Sequence, residues 1–212
     1  MPEPGLRNQL LAGCKLLPMG EPAKLETDVL LAYLDLLERW NKTYNLTSIR
    51  EPSKMISRHL LDSLSVLPCI SQGALLDAGT GAGLPGIPLA IMRPELEVTL
   101  LDSVGKKVRF LRHVKRELGL ENIHPVQQRL ESFETETVFT SIISRAFSGL
   151  AEFADSSRHL MHGETRLLGM KGQNPEEEIA ALPGWLKLDS LEKLVVPGLH
   201  EQRHLVIMSL TT

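Results

Sequence analysis

Cysteine is nearly absent, with only Cys14 and Cys69 among 212 residues and no Cys-x-x-Cys pair. That excludes a disulfide framework and a thiolate metal centre, and it points to a reducing compartment. An excess of positive charge is also missing: the net charge is −3 and the sequence pI is about 6.2. A molecule of that balance does not coat nucleic acid by bulk charge, so any such affinity must come from a local patch. Nowhere does an uninterrupted apolar run reach membrane-spanning length, and the first residues, "MPEPGLRNQLLAGCK", lack a basic start followed by a long apolar core. A soluble, cytoplasmic protein with no membrane contact is expected. There is no Pro-Pro pair, hence no Asn/Asp-Pro-Pro-Tyr/Phe motif of the kind used by exocyclic-amine methyltransferases. His159 and His162 lie three apart with no third ligand at metal spacing, so no metal is expected. No repeats, low-complexity linkers or exposed heptads occur, and a monomer is expected.

What is present divides at about residue 73. Before it the pattern is helical: Leu30, Tyr33, Leu37, Trp40 and Tyr44 make one apolar stripe, with shorter helices predicted over 6–17 and 52–67. After it, short apolar runs alternate with helical stretches. Strands are predicted over 74–78, 98–101, 123–127, 138–143, 165–170, 186–196 and 204–210. The last two are joined by a connection too short for a crossover helix and should pair antiparallel. The expectation is an α/β, Rossmann-like, seven-stranded and mainly parallel sheet: a helical cap (1–72) packed on a core (73–212) as one structural unit.

The stretch "LLDAGTGAGLPGIPLA" (75–90) occupies the first strand-to-helix turn, where open parallel sheets bind ligands. Gly79, Gly81 and Gly83 permit positive φ and close approach, and Pro85 and Pro88 fix φ as the helix begins. Two cofactors compete for this loop. "GAGLPG" followed by Asp102 fits the dinucleotide pattern of an NAD(P)-dependent oxidoreductase. "LLDAGTGAG" fits the hydrophobic-acid-x-Gly-x-Gly-x-Gly pattern of class I methyltransferases that use S-adenosylmethionine (SAM). Asp77, just before the first glycine, suits a ligand carrying an ammonium and a sulfonium rather than a pyrophosphate. Asp102 would accept from ribose hydroxyls with either cofactor, or would cap the helix near Ser103.

A second feature is the helix predicted over 103–118, whose local charge is +5. With Val104, Val108, Leu111 and Leu118 inward, Lys106, Arg109, His113 and Arg116 form an outer face able to meet phosphates. Arg145, at the end of the fourth strand, is predicted to point into the crevice of the glycine loop. Its planar fork suits a cofactor carboxylate, a phosphate or a guanine edge. Arg58, His59 and Asp62 share one helix side. They and Asn41, Tyr44 and Asn45 are candidates to roof the site, although a histidine on a packed helix is more often a core residue.

Seven blocks together go beyond the superfamily: "RWNKTYNLTSIR" (39–50), "RHLLDSL" (58–64), the glycine loop (75–91), "LLDSVGKKVRFLRHV" (100–114), "ISRAF" (143–147), "MKGQ" (170–173) and "RHLVI" (203–207). On them the chain resembles the RsmG (GidB) family of 16S ribosomal RNA guanine-N7 methyltransferases. The resemblance implies SAM as cofactor, bound by Asp77, Gly79, Thr80, Gly81, Gly83 and Leu84 of the loop. It adds Asp102 at the ribose, Ser103 as a further cofactor contact, Leu130 and Glu131 beside the adenine, and Arg145, which is also the expected catalytic residue. It implies 16S rRNA, within the small ribosomal subunit, as partner. Lys106, Arg109, Arg112, Arg116, Lys171 and Arg203 are the expected RNA contacts. Ala82 departs from the family pattern, which favours proline there.

Overall fold

The computed structural model describes residues 4–145, 147 and 149–211. Among them seven strands form one sheet: β1 (Ala74–Ala78), β2 (Glu97–Asp102), β3 (Ile123–Gln127), β4 (Ser141–Ser144), β5 (Arg166–Lys171), β6 (Leu186–Leu194) and β7 (Arg203–Leu210). Their order is β3-β2-β1-β4-β5-β7-β6. The first five run parallel; β7 is antiparallel to β5 on one side and to β6 on the other, which is the expected terminal hairpin.

Side chains alternate across the sheet with the period of two that strands impose. Leu75, Val98, Leu100, Ile143, Leu205 and Ile207 face one apolar cluster, and Leu76, Leu101, Ile142, Val206 and Met208 face another. The first cluster is shared with α1 (Pro4–Cys14), α2 (Lys24–Tyr44), α5 (Gly86–Met92) and α6 (Gly105–Leu118). It also takes in α3 (Pro52–Met55), which continues through a π turn (Ile56–Leu61) into α4 (Asp62–Leu64). On the opposite face lies α7 (Leu150–Ser157), with partly buried residues around α8 (Glu176–Ala180). The amino-terminal helices thus share a core with the sheet. Among the described residues no helix is long and apolar enough to cross a membrane.

Three local expectations are corrected. β4 begins at Ser141, not at 138, because its partner β1 begins only at Ala74 and pairs Leu75 with Ser141; Val138 has no strand beside it and is 65% exposed. α6 begins at Gly105 with Val104 as its exposed cap, and the buried stripe is Val108, Phe110, Leu111 and Val114. That stripe is wider than one stripe on the sheet requires, because α6 also meets α2: Phe110 lies 6.4 Å from Tyr33 and 5.5 Å from Trp40 between ring centres. For the same reason His113 is not free on an outer face but packs on Trp40 at 5.1 Å. The helix predicted to reach residue 67 ends at Leu64, and its π turn has no signature in the sequence.

Candidate active site

The sheet order reverses between β2-β1 and β4-β5, so the carboxyl ends of β1 and β4 open the crevice where such sheets bind ligands. The glycine loop leaves the end of β1 there. Gly79, Gly81 and Gly83 have φ of 70, 62 and 95°. Gly79 lines the crevice. A Cβ on Gly81 would meet nothing nearer than 4.0 Å, whereas one on Gly83 would fall 2.3 Å from Ile87 Cδ1 and 3.0 Å from Leu111 Cδ2. Positive φ is therefore what position 81 needs, and close packing against the core is an additional demand at 83.

Asp77 braces this loop from below. It is fully buried, and its Oδ2 accepts from Thr80 Oγ1 at 2.6 Å and from the Gly86 N–H at 2.7 Å, while Oδ1 has no partner. Burial pushes its pKa up to about 7, against the opposing pull of those two donors and of Arg145. Period two fixes this placement: Asp77 shares the face of Leu75, beneath α5. Thr80 is buried with it, and Leu84 is packed inward. From the cap, Tyr33 donates its buried hydroxyl to the Ala82 carbonyl at 2.8 Å, so α2 holds the loop directly. Sequence reading placed Tyr33 only in an apolar stripe; its position four or seven residues from other stripe members carries no hint of the hydroxyl's target.

At the end of β2, Asp102 is 5% exposed and ties three elements together. Its Oδ2 accepts from the Gly81 N–H at 2.9 Å and lies 3.1 Å from Lys107 Nζ; its Oδ1 accepts from the Val104 N–H at 2.8 Å. A carboxylate has about four lone-pair sites, two on each oxygen, so with Oδ2 accepting twice the remaining acceptor capacity is on Oδ1. A cleft of about 220 Å³ adjoins it, lined by Gly79, Asp102, Ser103, Leu130 and Glu131. The structure thus brings together the residues expected at ribose and adenine. It adds Val104, Lys107, Gln128 and Arg129 to the same wall, residues not expected at the cofactor from the sequence.

On the other side of β1, Arg145 enters a clamp drawn from distant parts of the chain. Its Nη2 donates to the Arg58 carbonyl at 3.0 Å, and its Nε lies 3.3 Å from Asp62 Oδ2. Asp62 is 1% exposed, and its Oδ1 accepts from Arg203 Nε at 3.0 Å. Burial raises the Asp62 pKa, and the guanidiniums of Arg145, Arg203 and Arg58 oppose that shift. His59 is buried, its Nε2 is 2.9 Å from Thr47 Oγ1, and burial together with Arg145 pushes its pKa down to about 4. It is a neutral core residue. Arg58 forms an ion pair with Glu201, Asn41 bonds to the 47–49 backbone, and Asn45 caps α2 at φ 49°. Lys106 reaches over to the Tyr44 carbonyl at 2.8 Å, where Tyr44 packs on Trp40.

The expected RNA contacts fall in two places. Lys106, Arg109, Arg112 and Arg116 are exposed on α6, Arg116 being paired with Glu117. Lys171 and Arg203 are not on that open face. They line a second cleft of about 200 Å³ with Asp62, Arg145 and His204, and Lys171 is ion-paired with Glu178 at 2.9 Å.

Solved structures share this architecture at low sequence identity. A SAM-dependent methyltransferase from Aquifex aeolicus superposes with a TM-score of 0.58 at 16% identity, over 77% of this chain and 96% of that one. TYW2 from P. horikoshii in complex with MeSAdo gives 0.54 at 10%, over 69% and 60%. These likenesses concern the fold. Sequence comparison is more specific. "Ribosomal RNA small subunit methyltransferase G" of Salmonella arizonae is 53% identical over 84% of this chain and 86% of its own length. The protein of that name in Methylobacillus flagellatus is 50% identical over 96% and 98%. A family model described as rRNA small subunit methyltransferase G matches residues 26–206, through the cap helix α2, the glycine loop, the Asp102 wall and the Arg145 clamp, and the chain belongs to that family.

Proposed function

We propose that this protein transfers a methyl group from SAM to N7 of a guanine in the decoding-region loop of 16S rRNA, within the small ribosomal subunit. The observation that carries the reading is the family match over residues 26–206, which spans both the loop and the two clefts beside β1. It favours SAM over NAD(P) at the glycine loop, and no Tyr-x-x-x-Lys stands in the sequence to serve hydride transfer. The residues present fit the cofactor. Asp102 Oδ1 retains acceptor capacity for a ribose hydroxyl, and Gly79 lines the cleft beside it. Leu130 offers an apolar wall, and Arg145 has an unpartnered Nη1 suited to a carboxylate.

SAM supplies a sulfonium methyl, and guanine N7 already holds a ring-plane lone pair with no proton to lose. No general base is then required, and the work of the chain is positioning and electrostatics. Arg145 and the Asp77-braced loop would hold the cofactor, and the α6 cations would anchor rRNA phosphates. The protein is proposed to act as a monomer in the cytoplasm, where its substrate is. The test is transfer of labelled methyl from SAM to small subunits isolated from cells lacking the protein, followed by nuclease digestion and mass mapping. One labelled guanosine carrying an N7 methyl is expected; no transfer to subunits or naked rRNA would overturn the reading.

A further inference from the structure

Buried polar atoms in folded proteins almost always find a partner, so a group of exceptions in one place calls for a ligand. Three of the unpartnered atoms among the described residues belong to residues lining one cleft at the ends of β4 and β5: Asp62 Oδ2, Arg145 Nη1 and His204 Nδ1. The first two are adjacent. Asp62 Oδ2 lies 3.3 Å from Arg145 Nε, within ion-pair reach but outside hydrogen-bond geometry. Both side chains are held by other bonds, Asp62 by Arg203 and Arg145 by the Arg58 carbonyl. The cleft wall therefore holds a fixed donor beside a fixed carboxylate acceptor.

Four RNA bases present different edges to such a pair. Guanine offers O6 as acceptor followed by two donors, N1–H and N2–H. Uracil matches the first two positions but places O2, an acceptor, against the carboxylate. Adenine and cytosine place a donor where Arg145 donates and a bare ring nitrogen where Asp62 accepts. Gripping guanine by its Watson–Crick edge also leaves N7, on the adjacent Hoogsteen edge, free of these contacts. The position suits this, because the cleft lies across β1 from the Asp102 wall, on the side to which a cofactor carboxylate at Arg145 would bring the reacting end.

The geometry points to Asp62 as the residue that selects the target base, accepting from guanine N1–H and N2–H while Arg145 Nη1 donates to O6. Nη1 carries two N–H groups, enough for a cofactor carboxylate and O6 together. The inference rests on the proposed guanine-N7 reaction and adds how the base is chosen.

The experiment uses the full chain and small subunits reconstituted with rRNA that carries guanosine, inosine or adenosine at the mapped target. Inosine lacks only the N2 donor. Its loss from a carboxylate acceptor should lower kcat/KM about 10-fold or more, and adenosine should not be methylated. Asp62→Asn, checked for folding by circular dichroism and SAM affinity, should lose activity on guanosine and bring the guanosine-to-inosine ratio close to one. A merely structural role for Asp62 would not change that ratio. Should Asp62→Asn fail to fold, the inosine comparison with the unaltered protein decides alone. Equal rates on guanosine and inosine, or a folded Asp62→Asn that keeps the original ratio, would overturn the inference while leaving the methyltransferase reading intact. No transfer to guanosine subunits would overturn both.

Discussion

Gly81 and Gly83 sit two residues apart in one loop, both at positive φ, and replacing each by alanine separates two physical demands. At Gly81 a Cβ meets nothing nearer than 4.0 Å, so Gly81→Ala carries only the left-handed backbone cost of about 1–2 kcal/mol. At Gly83 the same cost applies, and the Cβ would also lie 2.3 Å from Ile87 Cδ1, 2.7 Å from Ile87 Cγ1 and 3.0 Å from Leu111 Cδ2. Both neighbours are fully buried, and Ile87 is β-branched, so it can retreat only by turning into filled space. Overpacking of that kind costs about 1–3 kcal/mol, which brings Gly83→Ala to about 2–5 kcal/mol. With a urea slope of about 2.5 kcal/mol per molar for a chain of this size, the unfolding midpoint of Gly83→Ala should fall by about 1–2 M, and that of Gly81→Ala by clearly less. The measurement is urea unfolding followed by far-ultraviolet circular dichroism without cofactor, so that ligand linkage does not enter. If Gly81→Ala proves equally or more destabilising, the assignment of position 83 to core packing is wrong.

Other expectations follow from single contacts. Tyr33→Phe removes the only described hydrogen bond of the Tyr33 hydroxyl and leaves the Ala82 carbonyl without that donor; about 1–2 kcal/mol of stability and a few-fold in SAM affinity should be lost, measured by urea unfolding and calorimetry, and unchanged affinity would mean that the cap does not hold the loop. Asp77 has a folded pKa raised to about 7, so its ionised form is disfavoured by folding: its contribution to stability is present below the ordinary carboxylate pKa and is lost as pH rises to about 7. Asp77→Asn should therefore gain stability relative to the unaltered protein between about pH 4 and pH 7, and a constant difference across unfolding curves in that window would contradict the assigned environment. Arg109→Glu, on the exposed face of α6, should weaken rRNA binding and flatten its salt dependence while leaving SAM affinity unchanged; loss of both would make the helix face structural rather than a phosphate contact.

Much of the architecture is legible along the chain. Short apolar runs separated by helical stretches placed β1 and β3 to the residue and β2, β5 and β7 within one residue at each end, because strand burial and period two are local properties. The glycine loop was equally legible, since positive φ demands particular residue types at fixed spacing. The start of β4 was not: Val138 is as apolar as the residues that follow, and only the length of its partner β1 excludes it from the sheet. The stripe on α6 was drawn for one neighbour and widened by a second, because what a helix must bury depends on how many layers touch it.

The sequence by itself determined the class of the fold, the position of the ligand-binding turn and the acid at the end of β2, through patterns that act over a few residues. Tertiary structure alone decided what the charged side chains face. Asp77, which the sequence offers to a cofactor, lies beneath the loop and braces it, because the strand period turns it toward α5. Positions 62, 145 and 203 are far apart in the chain, and only the meeting of α4, β4 and β7 makes them one clamp. A charge owes its pairing and its remaining hydrogen-bonding capacity to neighbours that the fold brings from elsewhere, and these cannot be read from its own surroundings in sequence.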